Sequence, residues 1–272
     1  MVRSLWSAAT GMNAQQANVD TIANNLANVN SVGYKTQVAQ FKSLLYQNLQ
    51  TVTTTANGNP KPTSSQVGRG VRTSSINSIF GQGSLLDSES DTAFAIEGDG
   101  FFAVRGEDGT NYYTRNGDFT WALAANGGMT LTNADGLPVM SAEGRPIALP
   151  RTYIASRLSI TEEGEICYPD EQNNPQPIGV RIGTFQFSNP GGLNRVGDTL
   201  FAVTDASGRA LNEDTTPDVP KSRIVQGYLE GSNVQVANEM VNLIVAQRAY
   251  EMNSKAITTS DSMMETANNL KR

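Results

Sequence analysis

The longest uninterrupted helical pattern of the chain lies in its last forty residues, Gly231 to Leu270, and it restricts what the rest can fold into. Val236, Leu243, Tyr250, Ile257 and Met264 recur every seven residues, with Met240, Ile244 and Ala246 broadening the stripe. A seven-residue period is the seam of a helix that packs on another helix. No Pro or Gly follows Gly231, Ser232 and Asn233 offer N-cap oxygens, and Glu239 sits early, where the helix dipole favours an anion. At ~1.5 Å per residue, roughly 35 to 38 residues make a rod of about 55 Å, too long for the buried helix of one small core. Four residues after each seam position come Met240, Gln247, Ser254, Asp261 and Asn268, of which only the first is apolar. Such a helix needs a partner but is a poor coiled coil by itself. A long helix packed on its own globular domain is the competing reading.

The other end of the chain carries a second heptad pattern. Leu5, Met12, Val19 and Leu26 fall in one column, and Ala8, Gln15, Ile22 and Val29 three residues on. This helix is intrinsically weak, because Gly11, Val19, Thr21, Asn24, Asn25 and Asn28 each cost about 0.5–1 kcal/mol relative to Ala. It is therefore expected to be disordered until something packs against it, and to stop at Asn30, Ser31 and Gly33. A short second helical piece is expected over Val38 to Leu49, with Phe41, Leu44, Leu45 and Leu49 at helical spacing.

Composition removes several functional classes. With 272 residues the chain holds one large or two ordinary domains and buries a real core. A net charge of −6 argues against a general nucleic-acid binder, which needs clustered cations to neutralise phosphates. There is no histidine, the commonest general base and metal ligand, and Cys167 is alone, so neither an intramolecular disulfide nor a Cys/His zinc site can form. No cofactor is expected. Met1 to Gln16 lacks the apolar run of a secretory signal, and no stretch reaches transmembrane length.

Between the two helical ends the character changes twice. Gln50 to Gln66 is polar, with Thr51, Thr53, Thr54 and Thr55, then Asn57-Gly58, Pro60, Pro62 and Ser64-Ser65. Thr alternation around an Asn-Gly turn suits a two-stranded excursion, and a disordered linker suits the composition equally well. From Val71 to about Tyr228 the pattern is β. Short apolar runs such as Phe94 to Ile96, Met129 to Leu131, Leu158 to Ile160 and Ile178 to Phe187 alternate with Asp108-Gly109, Asn116-Gly117, Asn126-Gly127, Asp135-Gly136 and Glu163-Gly164. Strands about every ten residues without intervening helices predict antiparallel hairpins and exclude a doubly wound sheet.

Chemical motifs are sparse. Gly98-Asp99-Gly100-Phe101-Phe102-Ala103 formally fits a dinucleotide fingerprint, but Val104 leads into the turn at Glu107-Asp108-Gly109 rather than into a helix, so the glycines read as turn or bulge residues. Asp87, Glu89 and Asp91 lack EF-hand spacing and read as a solvated loop. Glu162, Glu163 and Glu165 flank Gly164 at an expected hairpin tip, where carboxylates ionise normally. Cys167 without His has no activating base and reads as a structural thiol.

Four segments carry a family resemblance. Ala23-Asn24-Asn25-Leu26-Ala27-Asn28-Val29-Asn30-Ser31-Val32-Gly33-Tyr34-Lys35 resembles the N-terminal signature of bacterial flagellar axial proteins, the rod and hook family. Ala95-Ile96-Glu97-Gly98-Asp99-Gly100-Phe101-Phe102 and Tyr113-Thr114-Arg115-Asn116-Gly117-Asp118-Phe119 resemble its internal β signatures. Gly227-Tyr228-Leu229-Glu230-Gly231-Ser232-Asn233-Val234, followed by Ala246-Gln247-Arg248-Ala249-Tyr250-Glu251, resembles its C-terminal one. Within the family, the chain length and the Gln47 to Gln66 stretch most resemble distal-rod members; proximal-rod members are similar too, and hook members usually carry a much larger insertion.

The resemblance implies a discontinuous helical domain built from both termini that stacks into a hollow tube around an export channel. It also implies secretion through the flagellar type III apparatus without cleavage, and a location in the periplasmic rod of the basal body. The expected fold is α+β: a coiled-coil polymerisation domain from 1–46 and 224–272, an extended hairpin or linker at 47–66, and a mainly antiparallel β domain over 67–223. The expected function is structural, a torque-transmitting shaft with no catalysis and no metal. Leu5, Met12, Val19, Ile22, Leu26, Leu243, Tyr250, Ile257 and Met264 are the expected assembly contacts. Expected partners are further copies of the chain, neighbouring rod and hook subunits, basal-body rings and the export apparatus, with no nucleic acid and no direct membrane insertion. Two rivals come from other classes. A secreted peptidoglycan hydrolase would use Glu162, Glu163 or Asp118 as acid and base, and a displayed binding module would have no need of periodic helical ends.

Overall fold

Two long helices, α1 (Val2–Ala27) and α2 (Val236–Asn269), stand at the ends of a chain whose remaining regular structure is almost entirely strand. The computed structural model describes residues 2–50, 65–123, 127–172, 174–197, 199–217 and 219–270. The architecture is α+β, with antiparallel pairing throughout the sheets of the β-rich part. The chain divides into two compact units. One contains Met1–Ala27, Gln37–Asn77 and Gln235–Arg272, and the other Asn28–Thr36 and Ser78–Val234.

In the first unit the expected helix over Val38 to Leu49 is replaced by two strands. Gln37–Ser43 pairs with Val71–Ser78, and Gln47–Gln50 pairs antiparallel with Ser65–Val67, Gln47 opposite Val67. The apolar spacing from Phe41 to Leu45 fits a helix only if one face is buried, yet Phe41, Leu45 and Tyr46 are all exposed. Ladder bonds to a remote segment decide the conformation instead, among them Leu44 N–H donating to the Gly70 carbonyl at 2.9 Å. The paired bases of the Gln47 to Gln66 excursion are thus antiparallel. Its Thr run, Asn57-Gly58, Pro60 and Pro62 lie outside the described residues.

The second unit is built on a six-stranded sheet in the order Asn194–Gly197, Leu200–Ala202, Asn111–Thr114, Phe101–Arg105, Thr184–Gln186, Leu211–Asn212. Its central strand explains the consecutive apolar run Phe101 to Val104. Successive side chains point to opposite faces. Phe102 and Val104 enter one core with Phe94, Ile96, Phe119, Leu131 and Ile147, while Phe101 and Ala103 enter another with Tyr113, Met140, Phe187 and Phe201. Each fully buried Phe contributes ~1.5–3 kcal/mol relative to exposure. Three-stranded sheets formed by Thr120–Leu123, Met129–Thr132 and Ala148–Leu149, and by Ser159–Ile160, Glu165–Pro169 and Pro175–Arg181, extend the first core.

Three of the five expected turn dipeptides are turns; Asn116-Gly117 is not, since Gly117 lacks a positive φ and lies against the Phe94 carbonyl, and Asn126 lies outside the described residues. Gly109, Gly136 and Gly164 all have positive φ, as does Gly98 between strands Phe94–Glu97 and Phe101–Arg105, so the glycine-rich stretch at Gly98 is a turn. The run Ile178 to Phe187 is not one strand but the end of Pro175–Arg181 and the separate strand Thr184–Gln186 in another sheet.

Candidate functional site

The helix pair at the chain ends is set by small residues. Asn25 Nδ2 donates to Glu239 Oε2 at 3.1 Å, a Cβ added to Gly11 would meet Asn253 Nδ2 at 2.9 Å, and the Ser4 and Ser260 hydroxyls lie 3.4 Å apart. Moving back along α1 by fourteen and then seven residues moves forward along α2 by the same numbers, so the helices run antiparallel in a constant heptad register. Ser4, Gly11 and Asn25 therefore form the column of closest approach on α1, beside Ala8 and Ile22. On α2 the facing columns are Glu239, Ala246, Asn253, Ser260 and Leu243, Tyr250, Ile257, Met264.

This corrects the expected companion seam of α2. It lies three residues after each large apolar position, not four, because Ala246 is buried whereas Met240 and Gln247 are exposed. The small side chains that made α1 look weak permit the backbones to approach. Of the residues named as assembly contacts, Ile22 is buried, while Leu5, Met12, Val19, Leu26, Leu243, Ile257 and Met264 are half-buried. Tyr250 is more exposed and lines a groove with Gln16, Val19 and Gln247.

Asn25 has a second role that propensity reasoning missed. Its Nδ2 also donates to the Gln37 carbonyl at 2.8 Å, and its Oδ1 accepts from Gln37 N–H at 2.9 Å. One buried amide thus pins the end of α1 to the first strand and to the first turn of α2. Glu239, expected to serve the helix dipole, is buried and accepts the Asn25 hydrogen bond. The expected caps are used elsewhere: Gln235 is the N-cap of α2 and makes no side-chain cap bond. Asn233 Oδ1 instead accepts from the Thr36 backbone N–H at 2.7 Å and hydroxyl at 2.8 Å.

In the second unit all four signatures contribute to a buried ion cluster. Glu230 Oε1 accepts from Lys35 Nζ at 2.6 Å and from Gly83 N–H at 2.9 Å, while Oε2 accepts from Arg115 Nη1 at 3.3 Å. All three charged side chains are inaccessible to solvent. Lys35 Nζ also donates to the Gly81 carbonyl at 2.8 Å, and Arg115 Nη2 to the Gly98 carbonyl at 2.7 Å, with the guanidinium 5.0 Å over the Phe101 ring. Burial lowers the pKa of Lys35, and the Glu230 charge and hydrogen bond pull it back up. Gly33, at φ 68°, donates its N–H to the Glu230 carbonyl at 2.7 Å; a Cβ there would lie 2.5 Å from Asn116 N. The cluster was not foreseen, although each of its charges lies inside a quoted signature.

The acids weighed for the hydrolase reading and the acids read as loop or hairpin-tip residues are solvent-facing or paired with a cation. Glu162 and Glu163 are exposed, and Arg181 lies 3.5 Å from Glu163, 3.4 Å from Glu165 and 3.5 Å from Asp214. Asp118, Asp87, Glu89 and Asp91 are exposed, and Cys167 is buried with its pKa raised by burial. Among the described residues no group of three metal-ligating side chains forms, and no helix is long and apolar enough to cross a membrane.

Comparison with known proteins agrees with the placement of the signatures. The flagellar basal body rod family matches residues 5–35, the flagellar hook protein FlgE/F/G D1 domain matches 95–168, and the flagellar basal body rod FlgEFG C-terminal region matches 225–270. Over its whole length the chain is 44% identical to the flagellar basal-body rod protein FlgG of Borreliella burgdorferi, covering 100% of both chains. It is 40% identical to that of Agrobacterium fabrum over 96% of this chain and 97% of the relative, and 35% identical to that of Bacillus subtilis over 100% of both. The chain belongs to the FlgG family of flagellar basal-body rod proteins. As a family member it is a structural subunit and not an enzyme, so the hydrolase reading of Glu162, Glu163 and Asp118 falls. Asn25 and Lys35 lie toward the end of the matched N-terminal region, and Glu230 and Glu239 near the start of the matched C-terminal one.

α2 carries one further feature. Val241, Val245, Met252 and Met263 are 59%, 62%, 67% and 57% exposed, and with Ala256 they fall within roughly one 60° sector of the helix. The helix is therefore apolar on two faces, and α1 covers only one.

Proposed function

We propose that this protein builds the distal rod, a rigid hollow shaft that transmits torque from motor to hook and surrounds the export channel. The observation that carries this is the second apolar stripe of α2, a long row of exposed aliphatic side chains beside an already paired face. Such a row costs solubility in a monomer and is buried where further subunits stack. Contacts that repeat head to tail without closing generate a helical polymer. In this reading both chain ends form the coiled-coil polymerisation domain and 67–223 a separate β domain. Ile22, Leu243, Ile257 and Met264 hold the pair inside each subunit, Leu5, Met12, Val19, Leu26 and Tyr250 flank it, and the stripe from Val241 to Met263 meets neighbouring subunits. Export through the flagellar type III apparatus, a periplasmic location, and contacts to basal-body rings and neighbouring rod and hook subunits belong to the same proposal.

The test is electron microscopy of purified, concentrated protein, with Val245→Asp and Met252→Asp alongside. The intact chain is expected to form straight hollow filaments. The variants, altered at exposed positions, are expected to fold and not to assemble. Filaments from either variant at unchanged protein concentration would remove the stripe from the interface.

A further inference from the structure

The second unit has an aromatic groove whose Tyr153, Tyr168 and Ile178 also pack against the first core and which none of the anchors uses. It has a volume of about 580 Å³. Tyr153 and Tyr168 form its wall, ring centroids 4.9 Å apart and planes at 69°, with the Arg157 guanidinium 5.9 Å from the Tyr168 ring. Pro177 and Ile178 line it as well, and Asp170 and Glu171 stand exposed at its rim. Among the described residues neither acid is in an ion pair.

Paired Tyr rings beside Pro make the kind of surface that receives a polyproline II segment, whose rings pack on the aromatics at low entropic cost because its backbone is already restricted. Carboxylates at the rim add a preference for a cation in that segment. The chain itself carries a sequence of this kind in Asn59-Pro60-Lys61-Pro62-Thr63. Fourteen residues separate Gln50 from Ser65, which are paired with each other. Seven residues in each direction reach at most about 23 Å from that pair.

We propose that Pro60-Lys61-Pro62 of a second copy of this chain docks in the Tyr153–Tyr168 groove, its prolines against the two rings and Lys61 toward Asp170 and Glu171. This rests on the polymer reading, since a polymer supplies one segment and one groove per subunit. It gives the polar excursion a defined acceptor and would resist sliding between neighbours.

Two measurements test it. In a Cys167→Ser background, one population carries Thr63→Cys and another Gln176→Cys, opposite Tyr168 in the strand pair. Mixed filaments are expected to yield a disulfide-linked heterodimer under mild oxidation, and the dilute double variant no intrachain link. Filaments without the heterodimer overturn the docking and leave the polymer reading intact, and an intrachain link overturns the assignment to a second copy. Absence of filaments overturns the polymer reading, and the groove is then judged by the second measurement. A peptide of residues 57–65 is titrated into the full-length monomer while Tyr153 and Tyr168 are followed by NMR. Saturable shifts are expected, lost when both prolines are Ala and weakened about threefold or more by Lys61→Ala in low salt. No shift at either tyrosine overturns the groove as the acceptor.

Discussion

Replacing Glu230 by Gln keeps the side-chain shape and removes the one anion that contacts both Lys35 and Arg115. The Gln oxygen can still accept from Lys35 Nζ and Gly83 N–H, but its amide then presents donors toward Arg115 Nη1, itself a donor 3.3 Å from Glu230 Oε2. Removing one partner of a buried ion pair costs about 3–5 kcal/mol, because the remaining charges stay buried without compensation. Against a total stability of about 5–15 kcal/mol this is about a fifth or more. With a urea slope of about 2–3 kcal/mol per M, the midpoint of the second unit's transition is expected to fall by roughly 1–2.5 M.

The pH dependence gives an independent signature. The folded pKa of Lys35 lies below its unfolded value of 10.5, so between the two the unfolded chain binds more protons and stability rises with pH. Glu230→Gln removes the interactions that hold that folded value up, which widens the window downward. The deficit of the variant is therefore expected to shrink as pH is raised toward 10.5, by up to about 1.4 kcal/mol per pH unit for one proton. Adding Lys35→Met should recover part of the loss at pH 7 and abolish the pH trend. A midpoint shift under about 0.5 M, or a deficit independent of pH from 7 to 10, would refute the argument that the cluster is held by the Glu230 charge.

Gly11→Leu is expected to part α1 from α2, since even its Cβ reaches Asn253; a cost of about 1–3 kcal/mol should appear as lost helical circular dichroism. In dilute monomer, amides of the paired helices are expected to exchange faster than those of 71–228 but slower than in an unpaired helix, and filaments should protect both ends further; fast exchange of the ends inside filaments would contradict the helical seam. Deleting Val52 to Ser65 is expected to leave export and polymerisation intact and to yield filaments that curve under cryo-electron microscopy. Tubes as straight as those of the intact chain would reduce the segment to a linker.

Periodicity carried much of this protein by itself. The heptad of Leu243, Ile257 and Met264, the matching one through Ile22, and the turn dipeptides between short apolar runs announced two helical ends around an antiparallel β middle, because burial on one face leaves a period in the sequence. What periodicity could not state was which polar residues belong to the inside. Asn25 and Gly11 read as helix-weakening locally, yet they lie in the column where α1 approaches α2, and small or hydrogen-bonded side chains are favourable there only once the other helix is present. The strands at Gln37–Ser43 and Gln47–Gln50 likewise follow from partners fifteen or more residues away, which local spacing does not record. Lys35, Arg115 and Glu230 are separated by 80 and 115 residues, and a charge can be buried only when its counterion arrives from such a distance. That pairing is a property of the folded chain, and so is the bare second stripe of α2, which is a surface only because α1 covers the first.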